Sequence, residues 1–132
     1  MSTCDASGLN IQNGTKLPIV IRGIVPGAGT VQDLHKDQFI EPGTTASGRA
    51  YSASGTSGSA QGRISIQLDS TGDIANLDYS FGTPWSTGTG TCSARAHSVK
   101  FRSGNRDYEA VVSTTNSESD KKAGILWWVV EA

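Results

Sequence analysis

Gly62-Arg63-Ile64-Ser65-Ile66-Gln67-Leu68 is the stretch that decides the fold class of this 132-residue chain. Its isoleucines and its leucine alternate with polar residues, as in a β-strand with one face on a core and the other in water. Asp69-Ser70-Thr71-Gly72 follows as a hairpin-type connection, and Leu77, Tyr79 and Phe81 then lie on one face of the next stretch. The segment predicts two antiparallel, half-buried strands.

The same signal recurs along the chain at short spacing. Further strand-like runs, separated by Gly, Ser or Asn, are Leu17–Val25, Ser93–Phe101, Tyr108–Thr115 and Ile125–Glu131. Turns come about every 8–12 residues, and neither helical periodicity nor a fixed repeat is present. We therefore predict an all-β fold, a single-domain antiparallel β-sandwich of about eight or more short strands over residues 10–132, preceded by a flexible N-terminus at residues 1–9.

The charged residues disfavour two large classes of function. Lys plus Arg is 11 and Asp plus Glu is 12, a net charge of −1, whereas nucleic-acid binders usually carry a basic excess. His35 and His97 follow no catalytic motif, and the chain has no nucleophile elbow, phosphate-binding loop or zinc-protease motif. We predict no catalytic residues, no metal and no cofactor, and no enzymatic activity.

The cysteines and the N-terminus bear on where the chain is found. Cys4 and Cys92 fit no zinc-ligand spacing, and two reduced thiols are favoured over a disulfide, although both stay open. The first residues lack the basic and apolar regions of a signal peptide, and the longest apolar run, Ile125–Val130, is too short to span a bilayer. We expect a soluble protein without a signal peptide.

Three tryptophans carry most of the remaining information. Trp85 stands in a polar loop, where it either tucks over the end of the sandwich or stays exposed to meet a lipid headgroup or a sugar. Trp127 and Trp128 are adjacent in a strand, so their side chains point to opposite faces. One can enter the core. The other is covered by a loop, a second subunit or a target surface, or the strand lies centrally and is paired on both sides.

Two segments resemble the aegerolysin family. The first runs Ser47-Gly-Arg-Ala-Tyr-Ser-Ala-Ser-Gly-Thr-Ser-Gly-Ser-Ala-Gln-Gly-Arg-Ile64, similar to the family's Gly-Arg followed by Gly-Thr-x-Gly before a strand. The second, Asp78-Tyr-Ser-Phe-Gly-Thr-Pro-Trp-Ser-Thr-Gly-Thr-Gly90, resembles its aromatic strand ending in Pro-Trp. Leu34–Asp37 is a weaker echo of its His/Lys-Asp loop, and the likeness extends from about residue 10 to 130.

The resemblance implies a β-sandwich that binds membrane lipids such as sphingolipids, in some members together with a larger perforin-like (MACPF) protein that forms the pore. Trp85 matches the tryptophan of the lipid site. Ser54 falls where several members carry an acidic residue, and Gly88 near where some carry a lysine. Residues 28–30 lack a loop tryptophan found in those members. These departures remove charged contacts to a headgroup.

The sequence thus predicts a non-enzymatic lipid-binding protein, the targeting subunit of a binary pore-forming toxin of insecticidal or cytolytic (haemolytic) type. It would act at a target-cell membrane and bind a sphingolipid-like headgroup, a larger perforin-like partner and no nucleic acid. The candidate lipid-binding residues are Trp85, Tyr79, Tyr51, Ser54 and Gly88, and the candidate interface residues, including those of a homodimer, are Trp127 and Trp128. The alternative is a carbohydrate-binding, lectin-like module that stacks a sugar on the same loop tryptophan.

Overall fold

The computed structural model describes residues 6–27, 29–51, 60–82, 93–115 and 122–132, and these form an all-β sandwich. Its strands are β1 Ala6–Asn13, β2 Ile19–Val25, β3 Thr30–Gln32, β4 Phe39–Ile40, β5 Thr45–Tyr51, β6 Ala60–Leu68, β7 Ile74–Gly82, β8 Ser93–Ala96, β9 Val99–Ser103, β10 Arg106–Thr115 and β11 Lys122–Glu131. The predicted fold class is confirmed.

The strands divide into two sheets. One has six strands in the order β3-β5-β1-β11-β10-β9, and the other has five in the order β4-β2-β6-β7-β8. Neighbouring strands are antiparallel except β1 and β11, which run parallel with Leu9 opposite Ile125. β11 is thereby paired on both sides, with β1 and with β10. Its apolar sequence suits this place, since such a strand would be an aggregation hazard at a sheet edge.

Two strand boundaries differ from the sequence-based expectation. β1 begins at Ala6, so residues 6–9, expected in the flexible N-terminus, are paired with β5 and with β11. The single strand predicted from Ser93 to Phe101 is two strands, because β8 pairs with β7 in one sheet and β9 with β10 in the other. The chain crosses between the sheets at His97 and Ser98, and the Ser98 hydroxyl accepts a hydrogen bond from Val112 N at 3.0 Å.

The core lies between the two sheets and consists of the inward-facing residue of each alternating pair. Ile64, Ile66 and Leu68 are fully buried, as their alternation predicts. From the six-stranded sheet, Leu9, Ile11 and Ile125 pack against them in the same cluster. Burying this apolar surface is the main favourable contribution to folding. Because the core fills the space between the sheets, the connections between strands lie at the two exposed ends of the sandwich.

Candidate functional site

One end of the sandwich collects the connections that hold most of the predicted lipid-binding residues. In the five-stranded sheet, Ala60 pairs with Phe81 and Gly82 with Ser93. The start of β6, the end of β7 and the start of β8 therefore lie together. In the six-stranded sheet, Tyr51 pairs with both Ala6 and Thr30. Because β5 connects to β6 and β2 to β3 across the two sheets, these strand ends form one end of the molecule, which we call the loop end.

Residues 52–59 and 83–92 therefore connect strand ends that lie at the loop end. Ser54 belongs to the first connection, and Trp85 and Gly88 belong to the second. These three residues lie outside the described residues. The topology brings the two connections to the same end, although they are separated along the chain by β6 and β7.

Tyr51 is the described candidate residue that borders this region. It is the last residue of β5, directly before residue 52, and its side chain is half-buried. Thr30, at the start of β3, lies opposite it and is exposed. Tyr51 thus combines an anchored backbone with a partly accessible ring at the loop end.

Tyr79 lies in the core, which corrects its expected role in contacting lipid. It is 4% exposed, and its ring meets that of Trp127 edge-on, with centroids 6.4 Å apart and an interplanar angle of 67°. The cause is the alternation of β7, which turns Leu77, Tyr79 and Phe81 inward together. Burial raises the pKa of Tyr79 to about 12, because the phenolate would lose its hydration. The side chain is a neutral, buried phenol.

A shallow depression of about 290 Å³ lies beside Tyr79, next to the loop end. Arg63 and Asp78 line it and form an exposed ion pair, with Arg63 Nε 2.6 Å from Asp78 Oδ1 and a second hydrogen bond of 3.2 Å. Hydrogen bonding and charge attraction from Asp78 raise the pKa of the Arg63 guanidinium. Val25, at the rim, is 59% exposed. The sequence reasoning did not single out these residues, although a β6–β7 hairpin register would have set Arg63 opposite Asp78.

The two adjacent tryptophans of β11 lie on opposite faces. Trp127 is fully buried in the core, and so it cannot form an interface. Its indole Nε1 is buried without a hydrogen-bond partner among the described residues. Trp128 is 46% exposed on the outer face of the six-stranded sheet, directly opposite Val111. Trp128, Val111, Leu126 and Val130 form an apolar strip on this outer face, which we call the outer stripe.

The described part of the chain contains neither a group of side chains suited to bind a metal ion nor a membrane-spanning helix. Within it, no three side chains of His, Cys, Asp or Glu come together as a metal site. Within it there is also no helix of the length and apolar character needed to cross a bilayer. Cys4 and Cys92 lie outside the described residues, so their pairing stays a prediction.

Comparison with known proteins identifies the fold. No protein-family model and no curated protein matches the chain. Among solved structures, it is similar to the lipid binding protein Nakanori, with a TM-score of 0.64, 11% identity, and coverage of 95% of this chain and 70% of that one. It is also similar to IP-1A from Alcaligenes faecalis (TM-score 0.59, 15% identity, covering 97% and 91%). RahU, solved in complex with a TRIS molecule, is similar as well (TM-score 0.62, 13% identity, covering 98% and 96%). At such identities the likeness establishes the sandwich fold.

Proposed function

We propose that this chain is a non-enzymatic protein that docks on membrane lipid through its loop end, with Trp85 as the main apolar contact. The observation that carries the proposal is topological: the connections 52–59 and 83–92, which hold Ser54, Trp85 and Gly88, join strand ends at the same end of the sandwich. A fold similar to that of a protein described as lipid binding supports it, as does the resemblance of the Pro84-Trp85 segment to aegerolysins.

Tyr51 extends this contact surface. Its half-buried ring stands where β5 passes into residues 52–59. A tyrosine in this position suits an interface, because the ring can enter apolar surroundings while its hydroxyl stays with polar headgroups. Tyr79 and Trp127 are left out of the surface because both are buried.

The energetics favour more than one contact. Burying one tryptophan contributes only about 2–3 kcal/mol, so a single chain binds a bilayer weakly. Several copies on one membrane, or a tethered larger partner, would raise the avidity by acting at high effective concentration. Hydroxyls of Ser and Thr and backbone N–H groups of the two connections would hydrogen-bond to a sphingolipid-like headgroup.

We assign the pore-forming step to a larger perforin-like partner. The eleven described strands are all used in the two sheets of the sandwich, and the apolar faces of those strands form its core. A segment that lines a pore would have to come from elsewhere, so this chain would be the targeting subunit of a binary, insecticidal or cytolytic toxin. Release of dye from vesicles by the chain alone would contradict this division of labour.

Co-sedimentation with vesicles tests the docking surface. Trp85→Ala should lower binding to vesicles of phosphatidylcholine and sphingomyelin by about tenfold or more, since its apolar contact is lost. Trp128→Ala is the matched control, because it removes a tryptophan from the outer stripe and should bind like the natural protein. Near-ultraviolet circular dichroism would verify that both variants fold. Equal binding by all three proteins would remove Trp85 from the site.

A further inference from the structure

A second concave surface lies at the opposite end of the sandwich, which we call the tied end. It is a cleft of about 410 Å³ between the β1–β2 connection, the β6–β7 turn and the β9–β10 turn. Its polar lining includes Thr15, Lys16, Asp69, Thr71 and Asn105. Clefts of this volume commonly hold small ligands. It faces away from the loop end, so it plays no part in the proposed docking on lipid.

Hydrogen bonds between neighbouring segments fix the walls of this cleft. Asp69 N–H donates to Pro18 O at 2.8 Å, which joins the β6–β7 turn to the β1–β2 connection. The Ser103 hydroxyl donates to Leu68 O at 3.3 Å, which joins the β9–β10 side to the same turn. A cleft whose walls are already ordered loses little conformational entropy when a ligand binds.

The β6–β7 turn also holds an unusual backbone. Asp69 and Ser70 have φ values of 57° and 50°, in the left-handed region that few residues other than glycine adopt. Asp and Asn are among the residues that tolerate this conformation best. The surrounding hydrogen bonds maintain it and set the Asp69 side chain on the cleft wall.

The charges around the cleft balance. Lys16 and Arg106 contribute two positive charges, Asp69 and Glu131 two negative ones. Arg106 Nη1 lies 3.2 Å from Glu131 Oε1, so these two charges already neutralise each other. Such a lining presents donors and acceptors together without a net charge, and it therefore favours a neutral ligand rich in hydroxyl groups over an anion or a cation.

An exposed aromatic ring borders this polar lining. Gly14 lines the cleft, and a Cβ atom built on it would lie only 2.6 Å from Trp128 Nε1. The indole edge of Trp128 therefore lies directly over Gly14, while nearly half of the side chain is open to solvent. Gly14 is the residue that permits this approach, because any larger side chain would displace the ring. The ring and the cleft therefore meet at Gly14, and we call the two together the tied-end surface.

We propose that this surface is a sugar-binding site. The apolar C–H face of a pyranose ring stacks on Trp128, and its hydroxyl groups hydrogen-bond with Asp69, Lys16 and Asn105 in the cleft. A sugar has an apolar C–H face and a rim of hydroxyl groups. It is therefore suited to a flat aromatic ring that lies beside hydrogen-bond donors and acceptors. The site is independent of the lipid contact, so either proposal can fail without the other.

Nuclear magnetic resonance titration of the full chain tests the site. The probes are free glucose, galactose, mannose and N-acetylglucosamine, each up to 100 mM. We expect at least one of them to give saturable shifts at the amides of Thr15, Lys16, Thr71 and Asn105 and at the Trp128 indole. Absence of saturable shifts at these positions for all four sugars overturns the proposal.

Variants separate the stacking contact from the hydrogen bonds. Trp128→Ala should weaken the responding sugar at least tenfold, and Trp128→Phe should restore part of the affinity because a flat ring returns. Asp69→Asn keeps the size and the tolerance for positive φ but replaces a carboxylate acceptor, and should weaken binding several-fold. Trp85→Ala should bind the sugar unchanged. Unaltered affinity of Trp128→Ala, or a dimer in gel filtration that covers Trp128, would contradict the assignment.

Discussion

The two ends of this sandwich are built differently. At the tied end the connections 14–18, 41–44, 69–73 and 104–105 are short. The connections 14–18, 41–44 and 69–73 are hydrogen-bonded to neighbouring segments, as in the 2.8 Å hydrogen bond from Asp73 N–H to Arg102 O. At the loop end three longer connections, 52–59, 83–92 and 116–121, join the strands, and the first two are composed largely of Gly, Ser and Thr.

The difference separates two ways of making a binding surface. A rigid end presents a cleft whose shape is set before the ligand arrives, which favours recognition of a small molecule. An end with longer connections presents residues whose sequence can vary without changing the sandwich, which favours adaptation to a target surface. Ser54 and Gly88 belong to two of these longer connections.

Asn13 offers the sharpest way to break the tied end. Its buried side-chain amide donates to Leu17 O at 2.8 Å and to Ile40 O at 2.9 Å, and its oxygen accepts bonds from Thr15 N and Oγ1. Asn13→Ala should lower the free energy of unfolding by about 2–4 kcal/mol, since buried carbonyls lose their partners. Urea denaturation measures this change.

Asn10→Ala is the matched control for that experiment. Asn10 is half-buried, and its side chain donates a single 3.2 Å bond to Ile125 O. Its removal should cost less than about 1 kcal/mol. Equal losses for Asn13→Ala and Asn10→Ala would show that Asn13 does not hold the tied end together.

Gly62 tests whether the base of the loop end is also closely packed. A Cβ atom there would lie 2.5 Å from Tyr79 Oη and 2.6 Å from Val25 O, and a backbone oxygen cannot move aside easily. Gly62→Ala should destabilise the protein by about 1–3 kcal/mol, as overpacking does. Gly23→Ala is the control, because a Cβ on Gly23 meets nothing within 4 Å. Thermal denaturation that fails to distinguish the two variants would contradict close packing at Gly62.

The pKa of Tyr79, raised to about 12 by burial, predicts an effect on stability that appears only in alkali. The unfolded chain ionises this phenol near pH 10, whereas the folded chain keeps it neutral up to about pH 12. The stabilisation is therefore complete below pH 10 and is lost as the pH rises towards 12. Urea unfolding at several pH values should show this loss in the natural protein and a reduced loss in Tyr79→Phe. Identical pH profiles would mean that Tyr79 is solvated.

The direction of side chains within a strand could be predicted from the sequence, whereas the pairing of strands that are distant along the chain could not. Alternation gave the inward faces of β6 and β7 and the opposite faces of Trp127 and Trp128, because side-chain direction depends only on neighbouring residues. The parallel pairing of β1 with β11 joins residues at the two ends of the chain, and no local pattern specifies it.

The candidate sites follow the same division. The prediction that Tyr79 contacts lipid rested on the aromatic segment before Pro84-Trp85. The alternation of inward and outward side chains along β7 instead turns Tyr79 into the core. The tied-end cleft was not foreseen, because Lys16, Asp69 and Arg106 come from three separate connections that only the tertiary fold brings together. Trp85 stays a prediction, since it lies outside the described residues.

Fluorescence quenching by lipids brominated along their acyl chains tests most directly which end meets the membrane. Two variants, Trp128→Phe and Trp85→Phe, each keep one of the two tryptophans in question beside the buried Trp127. We expect brominated vesicles to quench the Trp128→Phe variant, which retains Trp85, and to leave the Trp85→Phe variant nearly unchanged. The reverse pattern, with quenching only where Trp128 remains, would contradict docking through the loop end.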